Sequence, residues 1–257
     1  MDFTFALKII LTPSLIGIAS LAGRRWGPSV SGWLVGLPLT SGPVTFFIAL
    51  SFGATFARST AMGTLLGTAS QAFVCLAYAW LSKRWSWPLS LAASIAVFAV
   101  STWLLKGLHL PLTQLYILIL VLLSVILLLL PKEQATQQQQ VPLPRWDLPA
   151  RMVLVTFYVV ALTALAPLIG PQLTGLLSPF PLYGLVLATF GQHFGGAQAA
   201  IHVMRGLVAG LFSFATFFYV IASTIEHVLL WQSFALAIII VIIIQGAALW
   251  VIRNGWI

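Results

Sequence analysis

Gly27-Pro-Ser-Val-Ser-Gly-Trp-Leu-Val-Gly-Leu-Pro-Leu39 and Gly170-Pro-Gln-Leu-Thr-Gly-Leu-Leu-Ser-Pro-Phe-Pro-Leu182 are two versions of one stretch, 143 positions apart (170 − 27). Gly27, Pro28, Gly32, Leu34, Pro38 and Leu39 fall on Gly170, Pro171, Gly175, Leu177, Pro181 and Leu182. Outward from there the register holds without an insertion. Lys8 meets Arg151, and Gly53, Ala54, Ala57, Gly63, Gly67, Ser70 and Ala72 meet Gly196, Ala197, Ala200, Gly206, Gly210, Ser213 and Ala215. Residues 5 to 108 and 148 to 251 therefore read as two copies of one unit. In a membrane chain, a duplicated unit whose apolar segments are interrupted by Gly and Pro at matching places points to a transporter's binding site.

The composition requires a bilayer. Of 257 residues 60% are hydrophobic and only 6% charged, with a mean hydropathy of +1.05, too little polar surface for a water-soluble domain. A hydrocarbon core of ~30 Å takes roughly 20 apolar residues per helix. Long continuous runs such as Leu115 to Leu130 and Phe234 to Ile244 favour helices over the alternating segments of a β-barrel. The formal charge of +8 is scattered over predicted helix ends, as topology signals are. No nucleic-acid partner is expected. The single cysteine, Cys75, excludes an intramolecular disulfide. Ile9 to Ala22 has the look of a secretory signal, yet it aligns with the mid-chain Val153 to Leu165 and is expected to be retained.

Apolar runs and their breaks predict an all-α, polytopic membrane protein with helices near 5–22, 26–51, 56–81, 87–105, 111–130, 149–168, 172–190, 198–224 and 229–251. This gives a first repeat of four helices over 1–110, a connector helix at 111–130, a cytoplasmic linker at 131–147 and a second repeat of four helices over 148–257. An odd number of spans between the copies would invert the second relative to the first. With the N-terminus outside, Arg24, Arg25, Lys83, Arg84, Lys132, Arg145, Arg151 and Arg253 are cytoplasmic, against Lys8, Arg58 and Lys106 outside. That asymmetry fits a bacterial plasma (inner) membrane protein with a cytoplasmic C-terminus. Trp26, Trp80, Trp85, Trp87, Trp146, Trp231 and Trp250 lie near span ends, where an indole suits the interface. The linker PKEQATQQQQVPLPRWD is polar and rich in Gln and Pro, as a spacer is.

The chemistry is expected at the interruptions. Gly36-Leu-Pro-Leu-Thr-Ser-Gly-Pro43 and Ser178-Pro-Phe-Pro-Leu-Tyr-Gly184 combine prolines, which remove helical hydrogen bonds, with glycines and hydroxyls. Each helix is predicted to unwind near its middle, freeing backbone groups that protein, water or cargo must satisfy. The positive start of the following half-helix would lie beside Thr40, Ser41, Ser178 and Tyr183. Candidate solute-binding residues are therefore Pro38, Thr40, Ser41, Gly42, Ser178, Pro181, Tyr183 and Gly184; a dry structural kink is the alternative. Arg205 and His202, three apart on one helix face, are added as an anion or proton site, against the alternative that Arg205 snorkels to the interface. Gly63, Gly67 and Ser70, like Gly206, Gly210 and Ser213, suit close helix contact better than cargo contact. Gly-Pro at 27–28 and 170–171 suits helix initiation. Lys8 and Arg151 read as interfacial anchors, and His193 as a residue of a turn between Phe190 and Gly195.

The acids Asp2, Glu133, Asp147 and Glu226 all lie at termini, linker or helix ends. No interior carboxylate is expected to relay protons or hold a metal. A pair of intramembrane aspartates, His-Glu-x-x-His and Gly-x-Ser-x-Gly are all missing from the sequence. Neither an enzyme nor a cofactor is expected.

The repeated Gly-Pro-x-x-[Ser/Thr]-Gly-x-Leu, with Pro38 and Pro181 six positions after Gly32 and Gly175, resembles uncharacterised bacterial inner-membrane proteins of similar length. More loosely, the plan resembles small inverted-repeat secondary transporters of the bile-acid-symporter and LrgB-like kind, which implies helices broken at the midplane. The chain departs from the cation-coupled members in lacking buried acids, so the resemblance does not extend to carboxylate-based coupling. The leading expectation is a secondary transporter or exporter of a small-molecule solute, with a lean to organic anions. A passive channel and a structural or lipid-handling subunit are the alternatives. The expected partners are that solute and the lipid bilayer, and a homo-oligomer stays open.

Overall fold

A computed structural model describes residues 9–18, 21, 38–132 and 147–253. The readings placed on Asp2, Lys8, Arg24, Arg25, Trp26, Gly27, Pro28, Gly32, Leu34 and Gly36, and on linker residues 133–146, lie outside the described residues. Every described element is helical. In chain order they are α1 (Ile9–Ile18), α2 (Ser41–Phe52), α3 (Ala54–Leu81), α4 (Trp87–Leu105), α5 (Leu112–Leu129), α6 (Asp147–Ile169), α7 (Pro171–Leu177), α8 (Leu182–Thr224) and α9 (Leu230–Arg253). Five stretches among them are long and apolar enough to cross a membrane, with Pro171–Thr224 taken as one; α1, α2 and Leu230–Gly246 are shorter apolar helices.

Local chemistry sets the boundaries. Gly53 lies between α2 and α3 at φ 85, and Gly196 interrupts α8 at φ 75, conformations that exclude most residues with a Cβ. These two glycines are 143 positions apart (196 − 53), and both take a positive φ. Gly170, at φ 82, separates α6 from α7, whose first residue is Pro171. The span expected over 172–190 is non-helical at 178–181, within the stretch 178–184 expected to unwind, because Pro179 and Pro181 cannot donate to a helical ladder. One expected element differs. The turn expected around His193 is helical, and only Gly196 leaves helical geometry there.

Helix α3 forms the centre. Of its most apolar window 72% is buried, against 22% for α5 and 28% for α4, so α4 and α5 lie at the periphery. Ile117, Leu118, Val121, Val125 and Leu128 on α5, and Val153, Phe157 and Leu168 on α6, stay exposed, the outward apolar surface expected of helices in lipid. Buried hydroxyls on α3 are satisfied within the helix: Thr60, Thr64 and Thr68 donate to the carbonyls four residues earlier at 2.9, 2.9 and 3.0 Å. Gly63 and Gly67 let α7 approach to backbone contact. A Cβ on Gly67 would stand 2.6 Å from the Leu176 carbonyl oxygen, and one on Gly175 would stand 2.7 Å from the Thr64 nitrogen. Van der Waals contact of this kind holds helices together where lipid removes the hydrophobic drive. At the start of α3, Arg58 Nε donates to the Ala222 carbonyl at 3.1 Å and pairs with Glu226 at 3.4 Å, tying α3 to the end of α8.

Candidate functional site

The seam between α3 and α7 ends where α7 ends. Ser178 closes α7, its amide donating to the carbonyls of Thr174 and Gly175 at 3.0 and 3.1 Å. The chain then turns sharply at Pro181 (φ −80, ψ 53), with the Leu182 amide donating to the Phe180 carbonyl at 2.8 Å, an inverse γ-turn. Helix α8 starts at once, its Leu185 amide bonded to the Pro181 carbonyl at 2.8 Å. Phe180 is held edge-on to Phe98 at 5.0 Å, and the Tyr158 hydroxyl donates to the Leu177 carbonyl, so α4 and α6 brace the interruption.

The first-half counterpart lies against it. At the start of α2 the Gly42 amide donates to the Pro38 carbonyl at 2.8 Å and the Val44 amide to the Thr40 carbonyl at 3.3 Å. The buried Ser41 hydroxyl crosses between the halves and donates to the Ser178 carbonyl at 2.9 Å. The start of α2 and the end of α7, distant in sequence, thus meet through one hydrogen bond. Neither α2 nor α8 has a side-chain cap on its first turn.

Between the two helix starts lies a cavity of about 60 Å³, room for a few waters or part of a small solute, since roughly 10–15 Å³ of such space holds one water. Its wall draws on both halves at matching places. Leu39 and Leu182, Thr40 and Tyr183, Ser41 and Gly184, and Gln71 and Phe214 all line it, each pair 143 apart. Pro181 completes the rim, and Leu207 and Leu211 extend the apolar side along α8. Among the described residues no side chain on the wall is charged. Among the described residues no three of His, Cys, Asp and Glu come together as a metal site.

Two buried polar atoms at this place have no hydrogen-bond partner among the described residues: Gln71 Oε1 and Ser178 Oγ. Gln71 is 7% exposed and Ser178 fully buried. Leaving such an atom unpaired costs about 1–3 kcal/mol, so the packing beside the cavity is not fully satisfied.

Of the ten residues singled out from the sequence, eight come together. Thr40, Ser41, Pro181, Tyr183 and Gly184 are on the wall, while Pro38, Gly42 and Ser178 stand directly behind it. The other two are elsewhere. His202 is exposed, and Arg205 directs its guanidinium to the Leu130 and Pro131 carbonyls at 3.5 and 3.3 Å. The reason is electrostatic, because the carbonyl end of α5 carries partial negative charge and draws a cation. Gln71, Leu207, Leu211 and Phe214 are not reached by the sequence reading. Gln71 does carry a signal, as the only amide side chain within the apolar course of α3.

No family model, curated protein or solved structure matches this chain.

Proposed function

We propose that the chain is a secondary transporter or exporter of a small solute in the bacterial inner membrane, built of two inverted repeats and working by movement of one half against the other. The observation that carries this reading is the cavity whose wall uses matching positions of both halves. A duplicated unit related by a pseudo-twofold axis puts its shared site on that axis, where either half can expose it in turn. The non-helical stretch 178–181 that borders the cavity is the kind of backbone irregularity tolerated at membrane depth only where protein or a water-filled space covers it.

The lean to organic anions rests here on the starts of α2 and α8, which lack a side-chain cap, and on the absence of acids among the described wall residues. Arg205, engaged elsewhere, does not support it. Among the described wall residues the hydroxyls of Thr40, Ser41 and Tyr183 have no acid or histidine beside them on the wall, which favours binding and release over catalysis.

Thiol accessibility tests the reading without knowledge of the solute. Cys75 is buried and stays silent, so Thr40→Cys and Tyr183→Cys each introduce one reporter. For a carrier, a membrane-impermeant maleimide labels both reporters from outside in spheroplasts and from inside in inverted vesicles, and labelling from one side depletes the other. Folded protein whose reporters stay unlabelled from both sides would remove the carrier reading. Unitary conductance steps in planar bilayers would replace it with a channel.

A further inference from the structure

We propose that the end of the bundle where α3 and α5 finish holds the headgroup of an acidic glycerophospholipid, its phosphate among Lys83, Arg84 and Lys132 and its acyl chains along the apolar flank beside Trp80. The inference needs only a chain seated in a bilayer, so it stands apart from the carrier reading.

The fold gathers the three bases. Trp80, in the last turn of α3, donates from its indole Nε1 to the Leu129 carbonyl at 3.1 Å, so the ends of α3 and α5 stand side by side. The Lys83 ammonium lies 5.0 Å from the centre of the Trp80 ring, which holds its charge at that junction. Arg84 follows in the turn from α3 to α4. Lys132 comes three residues after Leu129, no more than about 10 Å along the chain. Arg205 ties α8 to the same place through the Leu130 and Pro131 carbonyls. Lys83, Arg84 and Lys132 are all exposed. Among the described residues none of the three pairs with an acid, whereas at the opposite end of α3 Arg58 is matched by Glu226. An anion at the junction of α3 and α5 relieves the repulsion among three like charges.

Charge alone would suit any acidic partner. What selects a lipid is the surface beside the bases. Trp80 is 51% exposed and Leu128 85%, and Leu129 and Leu89 are also open. A water-soluble acidic partner would cover the bases and leave these side chains bare. A phospholipid meets both, with phosphate on the cations and hydrocarbon on the leucines. The indole of Trp80, its ring half out and its N–H bonded, suits the level between headgroup and chain.

The test uses the purified full chain, delipidated in a neutral detergent. The probes are phosphatidylglycerol and phosphatidylcholine with the same acyl chains, and bound lipid is counted by native mass spectrometry. Phosphatidylglycerol is expected to be held about tenfold more tightly, since each base near an anionic headgroup strengthens binding severalfold. Lys83→Gln is expected to lower that preference about threefold, and the triple variant that adds Arg84→Gln and Lys132→Gln to bring it within about twofold. Lys106→Gln is the matched control, because Lys106 also sits over an indole, 5.4 Å from the Trp103 ring, at the far end of α4. It is expected to leave the preference unchanged. Glycerol phosphate, the same phosphate chemistry without acyl chains, is expected not to displace the lipid at equal concentration. Melting temperatures are recorded for every variant, and if the triple variant folds poorly the comparison of Lys83→Gln with Lys106→Gln decides. Equal retention of the two lipids, a preference that survives the triple variant, an equal loss in Lys106→Gln and Lys83→Gln, or displacement by glycerol phosphate would overturn the proposal.

Discussion

One face of α3 meets the second half of the chain in two opposite ways. Gly63, Gly67 and Gln71 recur every fourth residue, so they form a single stripe along the helix. At Gly63 and Gly67 the stripe is sealed, with α7 against it at backbone distance. One turn further, α7 has ended, and Gln71 lines a cavity, its oxygen buried and unpaired among the described residues. Glycine and proline are common to both regions. Glycine in the body of a helix closes a seam by removing side chains, whereas proline at the end of a helix opens a gap by ending the partner.

The contrast can be broken most severely at the seam. Gly175→Ala puts a methyl among the backbone atoms of α3, 2.8 Å from the Gly63 Cα, where no flexible side chain can yield. A loss of about 1–3 kcal/mol is expected, read as a lower melting temperature in detergent, while Gly107→Ala, with nothing within 4 Å among the described residues, leaves it unchanged. A seam that tolerated Gly175→Ala would mean that α3 and α7 do not bear on each other. Next come the hinges Gly53 and Gly196. Alanine at either, at φ 85 or 75, is expected to cost about 1–3 kcal/mol, and comparable losses at the two sites would sharpen the equivalence of the halves.

Smaller effects are expected around the gap. Ser41→Ala removes the bond to the Ser178 carbonyl and is expected to cost about 1 kcal/mol, with the solute affinity altered more than the melting temperature. The smallest effect belongs to Arg205→Gln. Loss of a cation from the carbonyl end of α5 is worth about 0.3–1 kcal/mol, and solute binding is expected to be unaffected. Impaired binding in that variant would return Arg205 to the site.

Much of the site is legible in the sequence because it lies in the repeat. The register that pairs Pro38 with Pro181 also pairs Thr40 with Tyr183 and Ser41 with Gly184, and these converge on one cavity. Gln71 is invisible to the same logic. It is flanked by Ser70 and Ala72, which match Ser213 and Ala215, but its own counterpart is Phe214. A search for identity passes over the one pair whose difference makes the wall amphipathic. Arg205 misleads for another reason: a charge within an apolar helix announces that it needs a partner without saying which, and the carbonyl end of α5 reaches it only through the fold. Pro179 and Pro181 foretell the unwinding at 178–181, and with helix initiation at Gly170-Pro171 they bracket the short helix between.

That shortness has a consequence. Because α7 stops after seven residues, the headroom above Gln71 is set by where a single strut is cut. Adding one helical turn of ~5.4 Å would carry the strut over Gln71 and shut the chamber, and trimming one would enlarge it. Related chains could therefore change the dimensions of their cargo by lengthening or shortening this one element, with every wall residue left in place.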